Sequence, residues 1–254
     1  DLSYFNLQWG RRGVIIVIGW PGQWAAEFAR DRQHIIRVRA GQELTRFKLL
    51  PGEEVRTPLT FLLFWKGDRL RAQNIWRRWM IAHSMPRPGG KLPPPQFVAS
   101  SSRAYREMIG ANESNQIMHI DRYLEEGLKI DYWWMDPGWY IQQHGWPQVG
   151  TWLYENRGEW LLRPTPGRDD PLAGLCAWSS NRPNRASGLY RQDFDMDPLA
   201  YWRAADAADR QGITEIRYVT GLLAYWDELW RRRPNMLIDT CASGGRRNDL
   251  ETLR

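Results

Sequence analysis

Met236-Leu237-Ile238-Asp239-Thr240-Cys241 is a short apolar run that breaks into a loop of small and basic residues, Ala242-Ser243-Gly244-Gly245-Arg246-Arg247. A run of this length, bounded by small residues, reads as a buried strand. Upstream of it lies a long amphipathic stretch with Ile216, Val219, Leu223, Trp226 and Trp230 on one helical stripe. Before that comes Leu189-Tyr190-Arg191-Gln192-Asp193, another short strand. Strand, helix and strand in this order fit the alternation of β and α in a barrel.

The same alternation recurs further upstream. Phe97-Val98-Ala99 reads as a strand, and residues 114–127 as a helix with Ile117, Ile120 and Leu124 in register and Gly127 at its end. Ile130 to Met135 reads as a strand apolar on both faces, as in sheets covered by helices. This pattern predicts part of a (β/α)8 barrel over residues 96–254. The segment 86–95, Pro-Arg-Pro-Gly-Gly-Lys-Leu-Pro-Pro-Pro, cannot hold a helix and marks a boundary.

Residues 1–95 read differently. Gly13 to Ile18 and Leu59 to Trp65 are apolar strands, and residues 34–39 partly alternate. Leu50-Pro51-Gly52-Glu53 fits a turn. Residues 69–83 read as a helix with Trp76, Trp79 and Met80 on one face. The prediction is a fragment of an antiparallel β-sandwich joined by a linker helix to the barrel. The fold class is α/β.

Composition excludes several functions. The chain of 254 residues has no apolar run long enough to span a membrane, and no basic-then-apolar leader is visible at its start. The expectation is a cytoplasmic chain with no membrane partner. Cys176 and Cys241 make no disulfide framework, and the four histidines show no ligand spacing, so neither metal nor cofactor is expected. The net charge of +6 raises nucleic-acid binding. Only Lys48, Lys66, Lys91 and Lys129 are lysines, however, and the arginines run along the whole chain rather than in one patch. No nucleic-acid partner is expected. The 16 tryptophans suit packing, and some suit the apolar faces of sugar rings.

In such barrels, chemistry gathers at the C-terminal ends of the strands. Three ends here carry it: Trp133-Trp134-Met135-Asp136-Pro137-Gly138-Trp139-Tyr140, Arg191-Gln192-Asp193, and Cys241 to Asp249. Carboxylates beside aromatic and small residues suit cleavage of a glycosidic bond, which takes two carboxyl groups. Blander readings stand beside this one. Asp193 and Asp136 could each cap a helix, Cys241 could be core, and Arg191 could pair with Asp195 or Asp197. Gly244 and Gly245 could serve only a tight loop.

These motifs also carry a resemblance. Cys241-Ala242-Ser243-Gly244-Gly245-Arg246-Arg247 resembles the CxxGGxR signature of glycoside hydrolase family 36, the family of α-galactosidases. Asp136-Pro137-Gly138-Trp139 is similar to its aspartate-aspartate-Gly-Trp stretch, and Arg191-Gln192-Asp193 to its Lys-Trp-Asp stretch. Leu50-Pro51-Gly52-Glu53 with Thr57-Pro58 is similar to a stretch of its N-terminal β-domain. The resemblance implies a retaining glycosidase acting on α-galactoside oligosaccharides. It makes Asp193 the nucleophile and Asp136 a ligand of sugar hydroxyls. Arg191 stands in the place of a lysine beside the sugar, and Cys241, Ser243 and Gly244 contact the sugar. The alternative is a non-catalytic, carbohydrate-binding remnant of the same family.

The sequence departs from that pattern in four places. Pro137 replaces the second aspartate, and Asp195 stands where the family has Asn. The interval between Asp136 and Asp193 offers a short helix at 151–162 and then a Pro-rich, polar stretch at 163–188, with no apolar strand. An internal deletion is the expectation. The family's acid/base aspartate is expected beyond Arg254, and Asp249 is not assigned that role.

Overall fold

The run Arg12–Gly19 becomes β2, the middle strand of a three-stranded antiparallel sheet ordered β1-β2-β6, with β1 at Tyr4–Trp9 and β6 at Leu59–Lys66. The structure is a computed structural model and describes residues 3–106, 110–111, 113–134, 189–193, 197–241 and 248–253. The chain divides into two compact units, one of residues 1–92, 197–235 and 243–254, the other of residues 93–196 and 236–242.

In the first unit, β2 is apolar from Val14 to Ile18 because both faces of its sheet are covered there. Phe5 and Ile16 are register partners, as are Val14 and Phe64. Val14, Ile16 and Ile18 pack with Ile213, Ile216, Val219 and Leu223 of a helix at Ile213–Arg232. On the opposite face, Ile15 and Val17 pack with Trp65, Ala72 and Leu250. Each such aliphatic side chain contributes about 2 kcal/mol by leaving water.

The hairpin of β3 (Trp24–Arg30) and β4 (Ile36–Gln42) adds Trp24 and Val38 to the first cluster, with Phe5 set 4.8 Å from Phe28. The strand expected from residue 34 begins at Ile36. Asp31 Oδ1 accepts hydrogen bonds from the N–H groups of Gln33 and Ile35, and His34 takes φ +66°, which makes 31–35 the hairpin turn. A short strand β5, Arg46–Phe47, completes the N-terminal β-region, and antiparallel sheets are its framework.

The helix α1, Arg69–His83, has the predicted bounds. Asp68 caps it by accepting from Arg71 N at 2.7 Å. Trp76 and Trp79 stack at 5.3 Å and, with Met80, lie against the second cluster, as their spacing requires.

In the second unit, β7 (Val98–Ala99) and β8 (Tyr132–Trp133) pair in parallel around α2, Glu113–Glu125. Ser101 Oγ and Trp133 Nε1 both donate to Gln116 Oε1, so the buried Gln116 ties α2 to both strand ends. Gly127, at φ +72°, ends the helix where the sequence places it, with Leu128 N donating back to Tyr123 O at 2.9 Å. A second parallel pair joins β9 (Leu189–Asp193) to a strand at Leu237–Cys241.

Between those two strands lie α3 (Leu199–Ala205), β10 (Arg210–Gln211) and α4 (Ile213–Arg232), and the second strand is β11 (Leu237–Cys241). The helices α3 and α4 belong to the first unit, and β9 and β11 to the second. The fold is therefore mixed α/β, with antiparallel pairing near the N-terminus and parallel pairing in the second unit.

Candidate functional site

Two of the predicted strand ends meet. In the parallel ladder of β9 and β11, Asp193 is the register partner of Cys241, and Arg191 of Asp239. Neighbouring strands lie about 4.8 Å apart, and a strand repeats every two residues. The two pairs therefore occupy like positions of the pleat, one step apart. Both strands run the same way, so Asp193 and Cys241 stand together at the C-terminal edge.

Cys241 is half-buried, as is Asp239, while Gln192 beside Asp193 is buried. Asp239 was not singled out by sequence reasoning. It lies within the quoted strand, and only the register with β9 makes it the ladder partner of Arg191. The remaining predicted residues, Asp136, Ser243 and Gly244, lie outside the described residues, as do Pro137, Asp195, Cys176 and the interval 151–188.

Asp249, the carboxylate that follows the glycine loop, belongs to the first unit. It is 3% exposed. Its Oδ1 accepts from Glu251 N at 2.7 Å and Thr252 N at 3.0 Å, and its backbone N–H donates to Thr252 Oγ1. Burial pushes its pKa up to about 7 against the pull of those hydrogen bonds, and the nearby Glu251 adds to the rise. Tyr4 is raised to about 12, first by its own burial and then by Asp249. This carboxyl is the fastener of a turn, sealed from solvent, and has no access to a substrate while the turn is closed.

Glu215 is a further buried carboxyl, again 3% exposed. It accepts from Trp20 Nε1 and Gln23 N, each at 2.7 Å, and burial raises its pKa. Its place at the start of α4, tying the helix to the β-region, is structural.

Among the described residues, no three His, Cys, Asp or Glu side chains gather as a metal site. No helix among them is long and apolar enough to cross a membrane.

No protein-family model matches the chain, and no curated protein matches it. It is similar to a solved structure, a crystal structure of the GH36 α-galactosidase AgaB from Geobacillus stearothermophilus, with a TM-score of 0.63 and 17% sequence identity. The likeness covers 96% of this chain and 41% of that one, so this chain spans about two-fifths of its length. At that identity the likeness is one of fold.

Proposed function

We propose that this chain is a retaining, α-galactosidase-type glycoside hydrolase, built on part of a (β/α)8 barrel, that acts on terminal α-galactosides. The observation that carries the reading is the register pairing of Asp193 with Cys241 at the C-terminal edge of two parallel strands. Barrel enzymes place catalytic groups at this edge, and two of the three sequence motifs arrive there together.

In this reading the Asp193 carboxylate attacks the anomeric carbon. The bond to the leaving oxygen breaks, its electron pair stays on that oxygen, which takes a proton as the alcohol departs, and a glycosyl ester forms on Asp193. Water then attacks the same carbon and gives up a proton, which balances the first, releasing the sugar and returning the carboxylate. Arg191 keeps a positive charge beside the sugar, and its register partner in the ladder is Asp239. Asp136, Cys241, Ser243 and Gly244 contact the sugar.

A second reading is sugar binding without turnover. It is favoured by the carboxyls that follow the loop. Asp249 is committed to its turn and Glu251 to Arg56 at 2.6 Å, and both are buried. Neither is placed to protonate a leaving alcohol, and a site without an acid cleaves an ordinary glycoside roughly 10²–10⁴-fold more slowly. An aryl α-galactoside, whose leaving group needs little proton assistance, separates the two readings. Release of the phenol, lost in Asp193→Ala, supports the hydrolase. Binding without release supports the remnant.

A further inference from the structure

The first unit holds a cleft of about 290 Å³, walled by β4, β5, the segment 55–58 and Ile216 of α4. That is close to the lower end of ligand pockets, roughly 300 Å³, and suits one small ring. Its floor is apolar: Phe47 and Val55 are half-buried and pack on the core cluster that contains Ile216, with Pro58 beside them. Its rim is polar. Thr45 and Thr57 are exposed, Thr45 Oγ1 spends its proton on Gln42 O at 3.2 Å, and Thr57 Oγ1 has no partner among the described residues.

The wall is held in place from two sides. Upstream, Glu53 of the Leu50-Pro51-Gly52-Glu53 turn takes a two-pronged hydrogen bond from Arg210 of β10 and another from Leu50 N. Downstream, the Arg56 guanidinium binds Glu251, whose side chain is 8% exposed. Glu53 and Arg56 thus fasten the chain just ahead of Thr57 and Pro58, β6 takes it up at Leu59 directly after them, and the cleft is formed before any ligand arrives.

Arg56 is the one charged side chain lining the cleft among the described residues, and Glu251 already offsets its charge. An anion would find no unspent cation here. A neutral ring with one apolar face and several hydroxyls matches the apolar floor, the threonine rim and the remaining N–H groups of Arg56. We infer that this cleft is a second carbohydrate-binding site, which takes a neutral pyranose in the first unit independently of Asp193. The choice of a sugar as ligand class rests on the carbohydrate reading above; the cleft does not.

The test is a titration of the full chain with methyl α-D-galactopyranoside, followed by amide chemical shifts. The expected result is saturable shifts at Gly41, Thr45 and Thr57 that are unchanged in Asp193→Ala. Thr57→Val weakens binding about fivefold, the effect of one neutral hydrogen bond, and Thr57→Trp, which fills the cleft from an exposed position, abolishes it. Sodium phosphate at the same concentration leaves these amides unmoved. Shifts that survive in Thr57→Trp, their absence from Gly41, Thr45 and Thr57, or saturation by phosphate would each overturn the inference. Failure of the hydrolase reading shows separately, as an aryl α-galactoside that is never cleaved while the cleft still binds sugar.

Discussion

Cys241 and Asp193 are register partners at the C-terminal edge of the β9–β11 pair. A sugar seated at this edge would shield the half-buried Cys241 thiol. Alkylation of Cys241 by iodoacetamide, followed by peptide mass mapping, is therefore expected to slow several-fold in saturating galactose and not in an unrelated sugar. Equal rates would remove Cys241 from the sugar site.

Glu215 satisfies Trp20 Nε1 and Gln23 N at once. Replacing it with Ala leaves two donors without their acceptor and a cavity beside them. The expected loss is about 3 kcal/mol in urea unfolding. Glu215→Gln keeps an acceptor and should lose less. A loss under about 0.5 kcal/mol for Glu215→Ala would show that the helix is held by its apolar stripe alone.

Asp249 gives a stability profile opposite to that of a salt-bridged acid. Its folded pKa of about 7 lies above the ordinary 3.8, so the folded state keeps a proton that the unfolded chain gives up. The contribution is whole below about pH 4, is lost as pH rises towards 7, and amounts to roughly 4 kcal/mol at most. Glu215, also raised, acts in the same direction. Glu53 runs the other way: Arg210 lowers it to about 2, so its stabilisation is present above about pH 4.5 and is lost as pH falls towards 2. Melting temperature against pH should therefore fall from pH 4 to 7, and Asp249→Asn should flatten that fall. An unchanged slope in Asp249→Asn would contradict the assignment.

Gly212 precedes α4 at φ +94°, and a Cβ there would strike Leu44 O. Its N–H donates to Asp206 Oδ2 at 2.6 Å. Gly212→Ala combines backbone strain with that collision, and about 2 kcal/mol of destabilisation is expected in thermal melts. A neutral effect would mean that the β5–β10 pairing beside it yields easily.

Sequence periodicity located most elements because their causes are local. The Trp76-Trp79 face, the Gly127 stop and the apolar run of β2 each need only near neighbours to be read. The strand β1 carries only a weak apolar signal, because Asn6 and Gln8 alternate with Phe5 and Leu7. The turn at 31–35 depends on Asp31 hydrogen bonds that no periodicity displays. At the candidate site, strand ends named Asp193 and Cys241 separately. Their pairing is a property of register between segments joined by two helices, and no local pattern contains it. The fastening of Asp249 and the cleft beside Thr57 are equally non-local, since each joins residues far apart in the chain.

The most direct measurement is mass spectrometry of the full chain after incubation with an activated 2-deoxy-2-fluoro-α-galactosyl fluoride, whose glycosyl ester turns over slowly. The expected result is a gain of one fluorogalactosyl group, located on the peptide containing Asp193 and lost in Asp193→Ala. No gain in mass, or a label on another carboxylate that persists in Asp193→Ala, would contradict Asp193 as the nucleophile.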